Sequence, residues 1–106
     1  MTHKSCNHDA AYELFLGSLA NANRFGIINA LRNGKKNVTE ICELTGFEQT
    51  MVSHNLRRLE HCGMVFPERK GKCCYYRVND KTIKPLLKLI DAHIEKYCCK
   101  ILTGER

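Results

Sequence analysis

The sequence predicts a mainly α fold completed by one small β-hairpin. Three observations carry that expectation. Apolar side chains recur at helical spacing along most of the chain, and the period changes to two only after Gly63. Two short helical stretches are joined by a tight turn at Gly46, and the second is polar and basic on its outer side. Finally, 106 residues leave room for one core and no second.

The elements follow in order. A first helix starts near Asp9, a residue suited to an N-cap, and runs through Leu16. A second begins around Asn21, Ala22 and Asn23; Phe25, Ile28 and Leu31 share a face, with Ile27 beside them, and Asn33-Gly34 ends it. Lys35, Lys36 and Asn37 form a polar connector. Thr39 precedes a short helix from Glu40 to Thr45, closed by Gly46 as a C-cap. The next helix spans about 48–62. Its buried stripe is Met51 or Val52, Leu56 and Leu59, which leaves Gln49, Thr50, Ser53, His54, Arg57 and Arg58 on the other faces.

Gly63 stops that helix. Met64-Val65-Phe66 then reads as a strand broken by Pro67, and residues 68–72 form a charged hairpin tip around Gly71. Cys73 to Val78 return as the second strand. Asn79 and Asp80 cap a last helix reaching about residue 102, with Ile83, Leu86, Leu87, Ile90, Ile94, Tyr97, Cys98 and Ile101 along one near-heptad seam. So small a body cannot cover so long an apolar face, and a two-fold partner is the economical way to bury it. The expected organisation is an N-terminal arm (1–8), a single domain (9–102) and a short tail (103–106).

Charge sharpens the functional expectation. The chain carries 17 Lys+Arg against 11 Asp+Glu, a net +6. Between Arg57 and Lys84, eight basic residues face three acidic ones, so +5 of that excess falls in one segment. Such a stripe is the footprint of a polyanionic partner. No run approaches the roughly 18 apolar residues of a membrane span, and the first residues carry no signal-peptide core. A soluble, cytoplasmic protein is expected. No nucleophile stands in a glycine-rich elbow or pocket-forming motif, so the chain does not read as an enzyme.

Seven cysteines complete the inventory: Cys6, Cys42, Cys62 and the vicinal pairs Cys73-Cys74 and Cys98-Cys99. An odd number cannot pair completely, and a cytoplasmic setting argues against a disulfide framework. No C-x-x-C spacing occurs, which removes the zinc-ribbon and thioredoxin readings.

Helix, helix, helix-turn-helix, hairpin and long terminal helix together make a winged helix-turn-helix. Three stretches specify more: Leu19 to Arg24, Val52 to Val65 with its Ser53-His54-Asn55-Leu56 run, and Arg69 to Lys72 leading into Tyr75-Tyr76-Arg77-Val78-Asn79-Asp80. They resemble the ArsR/SmtB family of arsenic- and metal-responsive transcriptional repressors over most of the chain. The resemblance implies a homodimer joined through the first and last helices. It also implies a palindromic double-stranded operator DNA, released when an inducer binds. The family's reading positions fall on Gln49, Thr50, Ser53 and His54, with Arg57 and Arg58 nearby, and the wing would reach flanking backbone or minor groove through Arg69, Lys70 and Lys72. The chemistry suits the role, since Gln pairs bidentately with adenine, hydroxyls bond bases or phosphates, and Arg holds phosphate or guanine. Glu48 stands where many members carry Ser; a carboxylate there suits the helix dipole but repels DNA.

The resemblance also tests inducers. One family site uses two cysteines at the start of the third helix; Asn37 and Thr39 stand there, so that site is absent. A second uses Asp, His, His and Glu or His on the terminal helices. Its positions here are Asp80, Thr82, His93 and Lys96, of which two can ligate and one adds a positive charge, so zinc fits poorly. Asp91 and His93 repeat the Asp-x-His spelling, but residues i and i+2 of a helix point to different faces. A third resembles Cys98-Cys99. Soft ions such as As(III), Sb(III), Cd(II) or Pb(II) favour three or four thiolates, and Cys6 on the arm is the candidate third, with His3 and His8 to assist.

No obligatory cofactor is implied. Cys42 reads as a core thiol; Cys62 resembles a ligand position of some metal-sensing members, but Arg58 stands four residues earlier where their partner Cys would be, so it reads as structural. Cys73 and Cys74 face opposite sides of a strand, yet a wing thiol can report oxidation to the DNA contact. The expected function is a repressor that releases its operator when a thiophilic ion engages Cys98, Cys99 and Cys6. A thiol-redox or reactive-sulfur-responsive repressor of the same fold is the first rival, and an unswitched basic nucleic-acid-binding module the second.

Overall fold

A computed structural model of the chain describes residues 7–104. It contains helices α1 (His8–Ala20), α2 (Ala22–Leu31), α3 (Val38–Thr45), α4 (Gln49–His61), α5 (Ile83–His93) and α6 (Cys99–Leu102). A π-helical turn (Ile94–Cys98) joins the last two. Strands β1 (Lys36–Asn37), β2 (Val65–Lys70) and β3 (Cys73–Val78) form one antiparallel sheet in the order β1-β3-β2. The architecture is the expected winged helix-turn-helix, with differences at several joints.

Short polar side chains set the helix starts. Asn7, not Asp9, caps α1: its side chain accepts the Ala10 N–H, and Asp9 falls in the first turn, where its charge suits the positive helix end. Asn21 caps α2 by accepting the Arg24 N–H at 3.0 Å. The third helix begins two residues earlier than expected, because Asn37 and Glu40 close a reciprocal capping box at 2.8 and 2.9 Å. Gly46 ends it in the left-handed region at φ 78°, its N–H returning to the Cys42 carbonyl.

The expected connector at Lys36-Asn37 is a third strand, paired with Tyr76 and Tyr75. Two residues are too few to show a period, so only the pairing partner identifies them. Pro67 does not break its strand. β2 is an edge of the sheet, where a residue lacking an N–H is tolerated, and the strand continues through Pro67, opposite Tyr76, to Lys70. The turn therefore shrinks to Gly71-Lys72, with Gly71 at φ 61° as a two-residue hairpin requires.

The last helix starts at Ile83 rather than beside Asp80. Asn79 folds back, accepting the Lys81 and Thr82 N–H groups and donating to the Gly63 carbonyl at 2.9 Å, while Asp80 pairs with Lys84 at 3.6 Å. Nor is that helix continuous, since the Cys99 N–H bonds to Ile94 O across the π turn.

The core lies around α2, which packs against α1, α3, α4 and β3. Ile27, Ile28 and Leu31 of α2 meet Ile41 of α3 and Val52, Leu56 and Leu59 of α4. Met64, Val65, Val78, Ile83 and Leu87 close it from the hairpin and the terminal helix. The terminal stripe therefore divides. Its first turns complete the core of the chain itself, whereas Ile94, Tyr97 and Ile101 stay exposed.

Candidate nucleic-acid interface

The interface is built from the helix-turn-helix outward. Val52, Leu56 and Leu59 are fully buried and so fix the rotation of α4 about its axis. That rotation leaves Gln49, Thr50, His54, Arg57 and Arg58 exposed and Ser53 half-buried. Of the two candidates for the first core position, Val52 is buried and Met51 is half-buried. Glu48 occupies the N-cap position but makes no side-chain cap bond. The positive end of α4 is thus left open toward whatever it meets.

Asn55 is the one polar residue buried in that stripe, an addition to the expected set. Its amide donates to the Met51 carbonyl at 3.0 Å, and its oxygen accepts from Arg24 Nη1 of α2 at 3.4 Å. The Arg24–Asn55 contact ties the recognition helix to the helix behind it. The sequence signal for it is an Asn inside an apolar i, i+3, i+4 stripe.

The wing presents its cations on both sides. Register places Arg69 opposite Cys74 and Lys70 opposite Cys73, so the two basic side chains point to opposite faces of the ribbon, with Lys72 in the turn. Tyr76, on the Arg69 side, looks back toward α4. Burial pushes its phenol above the usual tyrosine value, Cys74 and Glu60 add to the rise, and Arg57 opposes it. At the base of the wing, Arg77 stacks over Phe66 at 5.1 Å and Lys35 lies 5.9 Å over Tyr75 while pairing with Glu68 at 3.4 Å.

Three of the basic residues described are engaged by carboxylates: Arg32 by Asp91, Lys35 by Glu68 and Lys84 by Asp80. Among the described residues Arg57, Arg58, Arg69, Lys70 and Lys72 have none, and all five are exposed. They outnumber the exposed Glu48 and Glu60 of α4 and give that helix and the wing a net positive field.

The thiols are dispersed. Cys98 is half-buried at the end of the π turn, and Cys99 is exposed at the start of α6. Cys6 and His3 lie outside the described residues. Cys42 packs half-buried against the core, and Cys62 sits with its Sγ 3.9 Å from Ser18 Oγ. Cys73 is exposed and Cys74 half-buried, on opposite faces of β3. Among the described residues no group of three or more His, Cys, Asp or Glu side chains is placed to hold a metal ion. His93 stacks beside Tyr97, with ring centres 4.8 Å apart, and Asp91 is engaged by Arg32.

A model of the bacterial regulatory protein arsR family matches residues 21–65, from the cap of α2 to the start of β2. Over 80 residues the chain is 39% identical to the HTH-type transcriptional regulator NmtR of Mycobacterium tuberculosis, covering 76% of this chain and 67% of that one. It is 30% identical over 89 residues to the arsenical resistance operon repressor of Bacillus subtilis, covering 83% of this chain and 79% of the relative. The chain belongs to the ArsR family. Among solved structures, this ArsR-family fold superimposes with a TM-score of 0.76 on a homodimeric winged helix-turn-helix DNA-binding domain from Mycobacterium bovis, a possible ArsR-family regulator. The two are 28% identical, and the match covers 92% of this chain and 94% of that one. An ArsR-family chain is a transcriptional regulator, not an enzyme. No helix among the described residues is long and apolar enough to cross a membrane.

Proposed function

We propose that this ArsR-family regulator is a homodimeric repressor that binds a palindromic operator and releases it when a thiophilic ion occupies its interface cysteines. One observation carries the DNA-binding half: the exposed face of α4 continues, through five unpaired cations, onto the wing. Placed with its N-terminal half in the major groove, α4 offers Gln49, Thr50, Ser53 and His54 to base edges and Arg57 and Arg58 to phosphate or guanine. Arg69 and Lys70, facing opposite sides of the ribbon, straddle the adjacent backbone with Lys72 at the tip. The dimer is supported by apolar side chains left exposed on α1 (Tyr12, Leu16) and on the terminal helix (Leu89, Ile94, Ile101, Leu102).

For the inducer, Cys98 and Cys99 sit on the exposed end of the terminal helix, beside the surface a partner would cover. Their thiols, with Cys6 of the arm, form the candidate donor set for As(III), Sb(III), Cd(II) or Pb(II). The ion need only favour the dimer geometry of low DNA affinity by a few kcal/mol to free the operator. A second reading, a thiol-redox or reactive-sulfur switch, is favoured by exposed Cys73 facing Lys70 on the wing.

Footprinting tests the DNA half directly. Protection should fall on a two-fold site whose half-sites lie about 10 bp apart, one helical turn. Protection that is uniform across sequences would support an unswitched basic module instead.

A further inference from the structure

Beyond its reading positions, α4 carries a second feature. His54, Arg57, Arg58, His61 and Cys62 recur at i, i+3, i+4, i+7 and i+8, which places them on one stripe of the helix. Across from that stripe stands Leu14 of α1, and the six side chains line an open cleft of about 470 Å³. That volume falls within the roughly 300–1,000 Å³ of small-molecule sites.

The lining has two characters. Two guanidiniums and two imidazoles supply hydrogen-bond donors, and among the described residues no carboxylate lies within ion-pair distance of any of them. Leu14, exposed on α1, and the half-buried Cys62, held beside Ser18, supply an apolar side to the cleft. Donors without acceptors beside an apolar wall complement a molecule with an anionic head and an apolar body.

Duplex DNA presents phosphate to the same donors, but it does not account for the whole cleft. Cys62 lies about 12 Å further along the helix axis than His54. It is the N-terminal half of such a helix that enters the groove. A phosphodiester backbone also brings no apolar group to Leu14.

We propose that the cleft between α1 and α4 binds a small amphiphilic organic anion. By occupying His54, Arg57 and Arg58 the anion takes from DNA the side chains it shares with the reading face. The competition rests on the DNA-binding reading of α4; the binding itself does not.

The test uses the full-length, reduced protein and three probes: anilinonaphthalenesulfonate as the anion, neutral phenylnaphthylamine, and duplex DNA. Peptide-resolved iodoacetamide labelling reports Cys62, with Cys73 on the wing as the internal reference. The sulfonate should slow labelling of Cys62 and leave Cys73 unchanged, and the neutral amine should slow labelling of neither. His61→Ala, outside the DNA-reading set, should weaken the sulfonate about tenfold, as loss of one charge-assisted hydrogen bond would, with duplex affinity unchanged. Equal protection of Cys62 by the neutral amine, or protection by DNA but not by the sulfonate, overturns the proposal. A chain that protects Cys62 with the sulfonate yet binds no duplex would retain the cleft and sink the DNA reading.

Discussion

Leu56 and Arg57 are neighbours on α4 with opposite surroundings, one fully buried in the core and the other exposed beside the cleft. That alternation was legible in the sequence because a helix face repeats every three to four residues. The surroundings of Asn55 were not legible: its partner Arg24 is 31 positions away, and only the packing of α2 on α4 brings them together. The same holds for Arg32 and Asp91, 59 positions apart. Among exposed residues, the wing cations make the sharpest prediction. Replacing Arg69 or Lys72 with Ala should weaken binding to every duplex alike and lower the salt-dependence slope by about one per charge removed. Affinity measured by fluorescence anisotropy across a salt series checks this, and unchanged affinity in both variants would remove the wing from the interface.

At the scale of elements, Asn37 does two things. It ends β1, which pairs with the wing strand, and it caps α3 through the box with Glu40. The helix-turn-helix and the wing are thereby joined at one residue. Asn37→Ala should cost about 0.5–2 kcal/mol, the usual range for loss of an N-cap, read as a lower urea midpoint with unchanged slope. A midpoint equal to wild type would mean that Glu40 alone holds the helix start. The elements the sequence misplaced share a cause. β1 is too short for a period, Pro67 is acceptable only because β2 is an edge, and the π turn at Ile94–Cys98 depends on a hydrogen bond offset that side-chain pattern does not encode.

At the scale of the molecule, the long apolar stripe divides its work. Ile83 and Leu87 stabilise the chain's own core, whereas Ile94, Tyr97 and Ile101 remain exposed along the helical end that bears Cys98 and Cys99. The length of the stripe was readable from sequence, and where it leaves the core was not, since that depends on the reach of the hairpin beneath it. Ile94→Glu with Ile101→Glu should yield a monomer by sedimentation that keeps its helical circular dichroism and loses operator affinity. A double variant that still sediments as a dimer would move the interface elsewhere. On the proposed reading, Cys98 and Cys99 lie at the end of this exposed stripe, and ion binding there would change dimer geometry and DNA affinity together.

The most direct measurement follows that event. The reduced protein on its footprinted operator, labelled for fluorescence anisotropy, is titrated with arsenite, cadmium, zinc and peroxide, and the series is repeated with Cys98→Ser/Cys99→Ser. Arsenite or cadmium should release the wild-type protein and zinc should do little, while the double variant should stay on DNA throughout. Release of the double variant at the same ion concentration as wild type would contradict the assignment of the inducer to Cys98 and Cys99.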